Sequence, residues 1–344
     1  MAGNVGSAKA AKLSEERKEK TNSNLAEALQ KFLAFGVLIL LAILFGILSG
    51  GKFVAVDNLL TVVLQITPYA ILGFGLTFVL ITGGTDLSAG SVVGFGGIIC
   101  AKFLTLGYGL FVSILLGILA GALTGMINGL VITKLNVTPF IATLGTLYAF
   151  RGLTQLVGAG KPVSIQSLDD KQLVSQFKFI GGGTLFGKIP FPAVIMAVLA
   201  IILGIILAKT GFGRRLYAIG SNEDAARLSG INVFKTKLLA YVLCGATSAM
   251  AGILLAARLA SAQSNAGTGY ELEGIAAAVI GGTSVMGGEG GILGTVIGAA
   301  VMGVLRNGLN LVKVDAFVQM VIIGGIIIVG VWYDTLRRKK QNDL

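Results

Sequence analysis

The sequence contains no histidine and only two cysteines among its 344 residues. Without histidine, neither a His-based nucleophilic site nor a typical transition-metal site can form. Both cysteines, Cys100 and Cys244, lie inside apolar segments, so no disulfide framework is implied. Charged residues are also scarce, at 12% of the chain, whereas a soluble domain uses roughly 25% to cover its surface. A fold built around one core in water is therefore excluded.

Apolar residues make up 54% of the chain and are gathered into long runs. Runs such as 32–48 and 317–332 are about as long as a bilayer requires of a helix. A transmembrane barrel would show alternating segments of ~10 residues instead. The sequence therefore predicts an all-α polytopic membrane protein.

Counting the apolar runs bounded by Gly, Pro, Asn or charge gives ten candidate spans. They are approximately 32–50, 59–82, 88–107, 110–133, 138–157, 191–208, 237–257, 270–285, 291–312 and 316–333. The eighth is short and flanked by glycines, so a re-entrant or broken helix is the alternative there. We therefore expect about eight to ten transmembrane helices.

The net charge of +11 could indicate a nucleic-acid partner, but the basic residues form no stripe with exposed aromatics, and we expect no nucleic acid to bind. With the N-terminus inside, 17 of the 27 Lys and Arg residues fall on the cytoplasmic side and nine outside. This asymmetry predicts that both termini are cytoplasmic. The predicted organisation is a polar N-terminal tail (1–31), a transmembrane permease domain (32–335) with a cytoplasmic coupling loop (209–237), and a basic C-terminal tail (336–344).

Two glycine ladders predict close helix packing. One recurs every four residues from Gly117 to Gly129, and the other comprises Gly290, Gly294 and Gly298. Small residues on one face of a helix let a neighbouring backbone approach closely in lipid.

Two patterns are false leads for chemistry. The segment 182–189 comes within one residue of a phosphate-binding loop, but Ile189 follows the lysine where a Ser or Thr must ligate magnesium. The adjacent acids Asp169-Asp170 and Glu223-Asp224 lie in polar loops, where such pairs are ordinarily solvated. If ATP drives this protein, another chain must hydrolyse it, and no catalytic residue is predicted here.

The segment 221–228 has capping residues, acids in its first turn and small helix formers, which together predict a short cytoplasmic helix that stops at Gly230. Its Asp-Ala-Ala-x-x-x-Gly pattern resembles the EAA---G coupling motif of ATP-binding-cassette (ABC) importer permeases, with Asp in place of Glu. The candidate ATPase-coupling residues are Asn222, Glu223, Asp224, Ala225, Ala226, Arg227 and Gly230.

Five further segments resemble the simple-sugar branch of ABC permeases: 82–90, 135–144, 258–263, 267–276 and 281–288. The resemblance covers about residues 60 to 335. It implies a type II importer permease fold, a homodimer with the path on its two-fold axis, and a place in the bacterial plasma (inner) membrane among its lipids. It further implies an ABC ATPase subunit with paired nucleotide sites that carries ATP and Mg²⁺, and an extracytoplasmic sugar-binding protein. This chain itself would bind no cofactor. Ribose is the favoured sugar, with galactosides and other pentoses left open.

Polar residues at membrane depth are the candidates for the sugar route. Asp86 either caps the helix that follows it or faces a watery path. The others are neutral groups that also serve as interhelical contacts. The candidate pathway residues are Asp86, Asn128, Asn136, Thr138, Thr143, Asn307 and Asn310. The alternative function is an ion-coupled secondary sugar transporter or channel, which would need ionisable residues well inside spans. The sequence offers only Arg306 and Asp86 for that role.

Overall fold

The computed structural model describes residues 34–342, so the predicted tail at 1–31 lies outside the described residues. The described part is helical apart from two short antiparallel strand pairs, which confirms the all-α prediction. The helices are α1 (Ala34–Leu48), α2 (Val56–Ile81), α3 (Ala89–Thr105), α4 (Leu110–Lys134), α5 (Pro139–Gly158), α6 (Lys171–Gly182), α7 (Phe191–Lys209), α8 (Gly211–Ser221), α9 (Glu223–Leu228), α10 (Val233–Leu259), α11 (Tyr270–Ile280), α12 (Ile292–Leu311) and α13 (Ala316–Asn342). The strands are β1 (Val163–Ser164) paired with β4 (Ser261–Ala262), and β2 (Thr184–Leu185) paired with β3 (Ile189–Pro190).

Each of the ten predicted apolar runs corresponds to one helix. Within residues 34–342, α2, α4, α7, α10 and α12 are long and apolar enough to cross a membrane, and α1, α3 and Ala316–Trp332 of α13 are shorter apolar helices. Helix α11 has 11 residues and is therefore ~16 Å long, about half the hydrocarbon thickness. It cannot span the membrane alone, in agreement with the broken-helix alternative for run 270–285.

Two helices were not predicted, because both are amphipathic and neither forms an apolar run. Helix α6 lies in the expected loop 159–190 and buries Val174, Phe177 and Gly181, spaced for one helical face. Helix α8 lies in the expected loop 209–237 and buries Gly213, Leu216 and Ile219 in the same way. Two helix boundaries also differ from the predicted segment boundaries. Helix α10 begins inside the expected loop 209–237, and α13 continues into the expected tail at 336–344.

Helix α10 is the centre of the packing, and its most extensive neighbours are α4, α3 and α2. The α4 ladder makes this approach close: a Cβ added at Gly121 would collide with the Gly245 carbonyl of α10, and one at Gly245 would collide with the Gly121 carbonyl. Helix α7 is the opposite case. It is apolar all round yet buries only Pro192, Leu203 and Leu207, as expected of a helix that faces lipid.

The second glycine ladder is only partly helical. Gly294 and Gly298 of α12 pack against the backbone of α11 at Gly281 and Ala277. Gly290 precedes α12 and has φ of +144°, so its predicted place on the same helical face is wrong. The segment 182–189 that resembled a phosphate loop is a β2–β3 hairpin with positive φ at Phe186 and Gly187.

Candidate functional site

Three successive helices after α7 each begin at a side-chain cap. Thr210 Oγ1 accepts the Gly213 N–H at 3.3 Å, Asn222 Oδ1 accepts the Ala225 N–H at 2.9 Å, and Asn232 Oδ1 accepts the Lys235 N–H at 2.9 Å. Each cap satisfies a donor that the helix itself leaves free. The polar residues that interrupt this stretch therefore divide it into α8, α9 and the start of α10. We call residues 211–230 the α8–α9 corner.

The end of α9 depends on glycine for backbone conformation rather than for space. Gly230 has φ of +81°, and a Cβ there would meet nothing within 4 Å. Its N–H donates to Arg227 O at 3.0 Å, and the Ile231 N–H donates to Ala226 O at 3.1 Å. These bonds close the last turn of α9 in the manner of a glycine C-cap. The short helix expected at 221–228 is therefore present, with Asn222 as its cap.

Glu223 ties α9 to the first turns of α10. Its carboxylate pairs with Arg227 on its own helix at 3.0 Å and with Lys237 on α10. Partial burial raises the pKa of Glu223, but the Lys237 and Arg227 cations outweigh it and hold that pKa below the usual carboxyl value. A lowered folded-state pKa means that the pairing contributes fully above the usual carboxyl range and is lost as the pH falls through the lowered value.

The α8–α9 corner also rests on the ends of two long helices. A Cβ at Gly220 would overlap the Ile81 carbonyl oxygen at the end of α2. The same carbonyl accepts the Gly288 N–H at 2.9 Å. Tyr217 Oη donates to the Gly290 carbonyl at 2.7 Å, just before α12 begins. The corner is thus in direct contact with α2, with the segment before α12 and with α10.

One face of α9 is buried and the other is free. Ala226 packs with Ile219 and Val233 in a small apolar cluster. On the opposite side Leu228 is 90% exposed, although a large apolar side chain gains free energy by leaving water. Asn222, Asp224, Ala225 and Arg227 are exposed beside it.

Asp86 and Asn128 are brought together in the interior of the chain. Asp86 Oδ1 accepts the Ser88 N–H at 2.9 Å and the Ser88 hydroxyl at 2.6 Å, and Asn128 Nδ2 donates to Ser88 Oγ at 2.7 Å. All three residues are buried. This network joins the turn between α2 and α3 to α4. Asp86 therefore accepts a hydrogen bond from the backbone immediately before α3. This arrangement resembles the helix-capping role, one of the two roles that the sequence left open for Asp86.

The residues around Pro139 do not form one patch. Asn136 is exposed with φ of +53° and lines a cleft of about 370 Å³ that also contains Glu223 and Arg227 of α9. Thr138 is exposed at the N-cap of α5. Thr143 is buried, and its hydroxyl donates to Pro139 O of its own helix at 2.8 Å. Asn136 thus lies beside the α8–α9 corner.

The two asparagines near the end of α12 make interhelical contacts. Asn307 is buried, and its Oδ1 accepts from Asn58 Nδ2 of α2 at 2.9 Å. Asn310 is exposed, and its Oδ1 accepts from Gln319 Nε2 of α13 at 2.9 Å. Both contacts hold neighbouring helices together.

Arg306, which the sequence places inside a span, has partners that the sequence did not reveal. Arg306 of α12 donates to the Tyr69 hydroxyl of α2 and to Glu273 Oε1 of α11, each at 2.6 Å. Tyr69 lies near the midpoint of the 26-residue helix α2. The rings of Tyr69 and Tyr270 lie 4.5 Å apart between centroids. Three helices thus meet at one polar point in the middle of the membrane.

Glu271 extends this group toward α3 and α5. It interacts electrostatically with Arg151 of α5, whose Nη1 donates to Ala266 O at 2.6 Å. Glu271 Oε2 is buried and has no hydrogen-bond partner in the described part of the chain. The signal in the sequence that could have indicated these acidic residues at membrane depth was the Glu-x-Glu pair at the start of an apolar helix. We call Tyr69, Arg151, Glu271, Glu273 and Arg306 the mid-membrane cluster.

Comparison with known proteins identifies the group to which the chain is related. A family model described as the permease component of the branched-chain amino acid transport system matches residues 58–331. The ribose import permease protein of Bacillus subtilis is 45% identical over 313 residues, covering 91% of this chain and 94% of that protein. The L-arabinose transport system permease protein of Escherichia coli is 38% identical, covering 89% and 92%. The D-allose transport system permease protein of E. coli is 34% identical, covering 95% and 98%.

No solved structure matches the chain. The sequence relatives and the family model agree with the helical architecture, and they confirm the resemblance to ABC importer permeases of the simple-sugar branch. The chain therefore belongs to this family of membrane-spanning transport permeases.

Proposed function

We propose that this chain is the membrane-spanning permease of an ATP-driven importer for a simple sugar, and that ribose is the favoured sugar. It acts as a homodimer in the bacterial inner membrane, with the path on the two-fold axis. A separate ABC ATPase with paired nucleotide sites binds ATP and Mg²⁺, and an extracytoplasmic binding protein delivers the sugar. The identity of 45% with a ribose import permease over nearly the whole chain supports this choice of sugar.

The α8–α9 corner is the observation that carries the proposal. It presents a short capped helix with an exposed Leu228, and its other side is fixed to α2, α10 and the segment before α12. A docking helix has to combine these properties, because a push on its free face must move the long helices rather than the helix alone. Closure of the ATPase would thus tilt α2, α10 and α12 and open the path to one side at a time.

The orientation follows from charge. The α8–α9 corner contains Arg214, Arg215 and Arg227, and the positive-inside rule puts such a segment in the cytoplasm. The hairpin β2–β3 then lies on the outer face, where the binding protein docks.

The test uses permease, ATPase and binding protein reconstituted together in liposomes. Replacing Gly230 with Leu forces a branched side chain into φ of +81°, which costs about 1–2 kcal/mol and misplaces the end of α9. We expect sugar uptake and binding-protein-stimulated ATP hydrolysis to be lost together. The double change Glu223→Lys and Asp224→Lys should act in the same way by removing the charged contacts of α9.

Gly187→Leu is the matched control. Gly187 has φ of +70°, also has open space at its Cβ, and lies in the β2–β3 hairpin. It should therefore suffer the same backbone strain while the permease still co-purifies with the ATPase, because the hairpin lies away from the α8–α9 corner. If Gly230→Leu and the double change both keep uptake and stimulated hydrolysis, the corner is an ordinary loop.

An ion-coupled transporter remains the rival function, and the mid-membrane cluster adds ionisable groups that the sequence reasoning had not found. Each of these charges has an opposite partner: Glu273 pairs with Arg306, and Glu271 interacts with Arg151. In this arrangement the charges of the cluster balance one another, which favours a neutral solute over an ion. Uptake that requires ATP inside liposomes and persists when ion gradients are collapsed supports the importer, whereas uptake that follows the gradient overturns it.

A further inference from the structure

We propose that the mid-membrane cluster contacts the sugar during its passage, with Glu271, Glu273 and Arg306 exchanging hydrogen bonds with its hydroxyl groups. This inference rests on the proposed function and names the groups of this chain that recognise the solute. Four lines of observation support it: depth, backbone geometry, charge balance and accessibility.

The depth of the cluster is unusual for charged side chains. Tyr69 is near the midpoint of α2, and its hydroxyl accepts a hydrogen bond from Arg306, which also pairs with Glu273. Ionisable groups in the middle of a bilayer are costly and are found where they face a partner or a solute pathway. The ion pair between Arg306 and Glu273 explains how each charge is compensated in this structure. It does not explain why charged residues are present, because packing alone could hold the helices together without them.

The backbone at the cluster is broken. After α10 the chain passes through an irregular segment at 260–269 before α11 begins, and the first turn of α11 carries Glu271 and Glu273. Irregular backbone at membrane depth is tolerated where it is buried in protein or lines a cavity, and transport sites recur at such discontinuous helices. Helix α11, about half a membrane long, begins at such a break and carries Glu273, the partner of Arg306.

The charges of the cluster fit a neutral polyol. Two arginines and two glutamates sum to zero, so the cluster exerts no net attraction on an ion. A sugar hydroxyl both donates and accepts, while arginine supplies donors and carboxylates supply acceptors. The Oε2 atom of Glu271 has no partner among the described residues and is buried, so it becomes an acceptor for such a hydroxyl once the helices around it move apart.

The cluster is partly accessible. The Arg306 side chain is 35% exposed and that of Glu273 is 12% exposed, while Tyr270, Glu271 and Arg151 are half-buried. A second polar contact between the same helices differs in this respect. Thr77 of α2 and Thr295 of α12 share a hydrogen bond of 2.6 Å and are completely buried. That pair suffices to hold α2 against α12 and cannot reach a solute.

The experiment is a double-mutant cycle between side chains and sugar hydroxyls. The reconstituted permease, ATPase and binding protein import D-ribose, 2-deoxyribose, 3-deoxyribose or 5-deoxyribose, and the sugar transported per ATP is measured. Discrimination by the binding protein is the same for every permease variant, so it cancels in the ratio of two variants. The variants are Glu271→Gln, Arg306→Lys and Tyr69→Phe, with Thr295→Val as the control.

We expect Glu271→Gln and Arg306→Lys to reduce ribose transport per ATP about tenfold, the loss of one charge-assisted hydrogen bond. For at least one deoxy sugar the additional effect of these variants should vanish, because the hydroxyl they contact is already missing. Tyr69→Phe tests the same contact with the smallest structural change, in case a charge variant does not insert. Thr295→Val should leave the ratios among the four sugars unchanged.

Additive effects, in which every variant lowers the transport of all four sugars by the same factor, would show that the cluster acts on structure alone and would overturn the inference. Failure of the unaltered complex to import any sugar would instead overturn the proposed function. The two failures are therefore distinguishable.

Discussion

Truncation of Leu228 to alanine should detach the ATPase without harming the permease. Leu228 is 90% exposed, so it contributes little to the fold, and alanine is a better helix former. If the side chain enters a cleft of the ATPase, its burial contributes ~1.5–3 kcal/mol. Since each 1.4 kcal/mol is a factor of ten in affinity, the Kd for the ATPase should rise about 10- to 100-fold.

The measurement is a titration of the purified ATPase onto the permease in lipid nanodiscs, with thermal stability of the permease followed in parallel. Phe186→Ala is the matched control, because Phe186 is 93% exposed in the β2–β3 hairpin. It removes at least as much exposed apolar surface from the predicted outer face. ATPase binding should be unaffected by that change.

The reasoning fails if Leu228→Ala binds the ATPase as tightly as the unaltered chain does. It also fails if Phe186→Ala weakens binding by the same factor, since the orientation would then be reversed. A loss of permease stability in Leu228→Ala would contradict the exposed position of that side chain.

Three further predictions address packing, topology and coupling. Gly121→Leu should destabilise the α4–α10 contact by about 3 kcal/mol and lower the melting temperature in detergent, whereas Gly145→Leu should not, because its Cβ would meet nothing within 4 Å. In a chain whose two natural cysteines are replaced by alanine, Ser167→Cys should react with an impermeant thiol reagent in intact cells and Ser221→Cys should not; the opposite pattern would reverse the orientation. Tyr217→Phe removes the 2.7 Å bond to Gly290 and should reduce sugar transported per ATP while ATPase binding is retained; equal transport per ATP would show that this bond is not part of the coupling.

The helices of the membrane part could be predicted because lipid demands long apolar runs, and these runs are visible without any knowledge of the fold. The same reasoning predicted a closely packed face on α4, since a four-residue glycine period means one helical face, and the structure identifies α10 as the partner. It also found the short α9 from its cap, its first-turn acids and Gly230. These are local rules, and each depends on residues that are near one another in the sequence.

What was missed depends on contacts between distant residues or on narrow apolar stripes. Helices α6 and α8 each bury only three residues along one face, and three spaced residues do not make an apolar run. Glu273 was placed in the apolar run 270–285 without a role, because its partner Arg306 lies 33 residues further along the chain. Asn136 stays a candidate for the sugar route, and the cleft that it shares with Glu223 could not be predicted because it depends on the packing of distant segments.

The same two helices connect the α8–α9 corner to the mid-membrane cluster. Helix α8 is in contact with the C-terminal end of α2 through the Ile81 carbonyl, and with the segment just before α12 through the bond from Tyr217 to Gly290. Near the middle of the membrane α2 and α12 are joined by Tyr69 and Arg306, with Glu273 of α11 as the third member. A rigid helix transmits a tilt along its whole length, so a displacement of α8 that tilts α2 and α12 by different amounts would change the separation of Tyr69 and Arg306. The ion pair between Arg306 and Glu273 then either lengthens or is kept because α11 moves with α12. While the bonds from Arg306 to Tyr69 and Glu273 are lengthened, a sugar hydroxyl can replace one of them. Apolar side chains at the same place would have no hydrogen bond to exchange with the sugar.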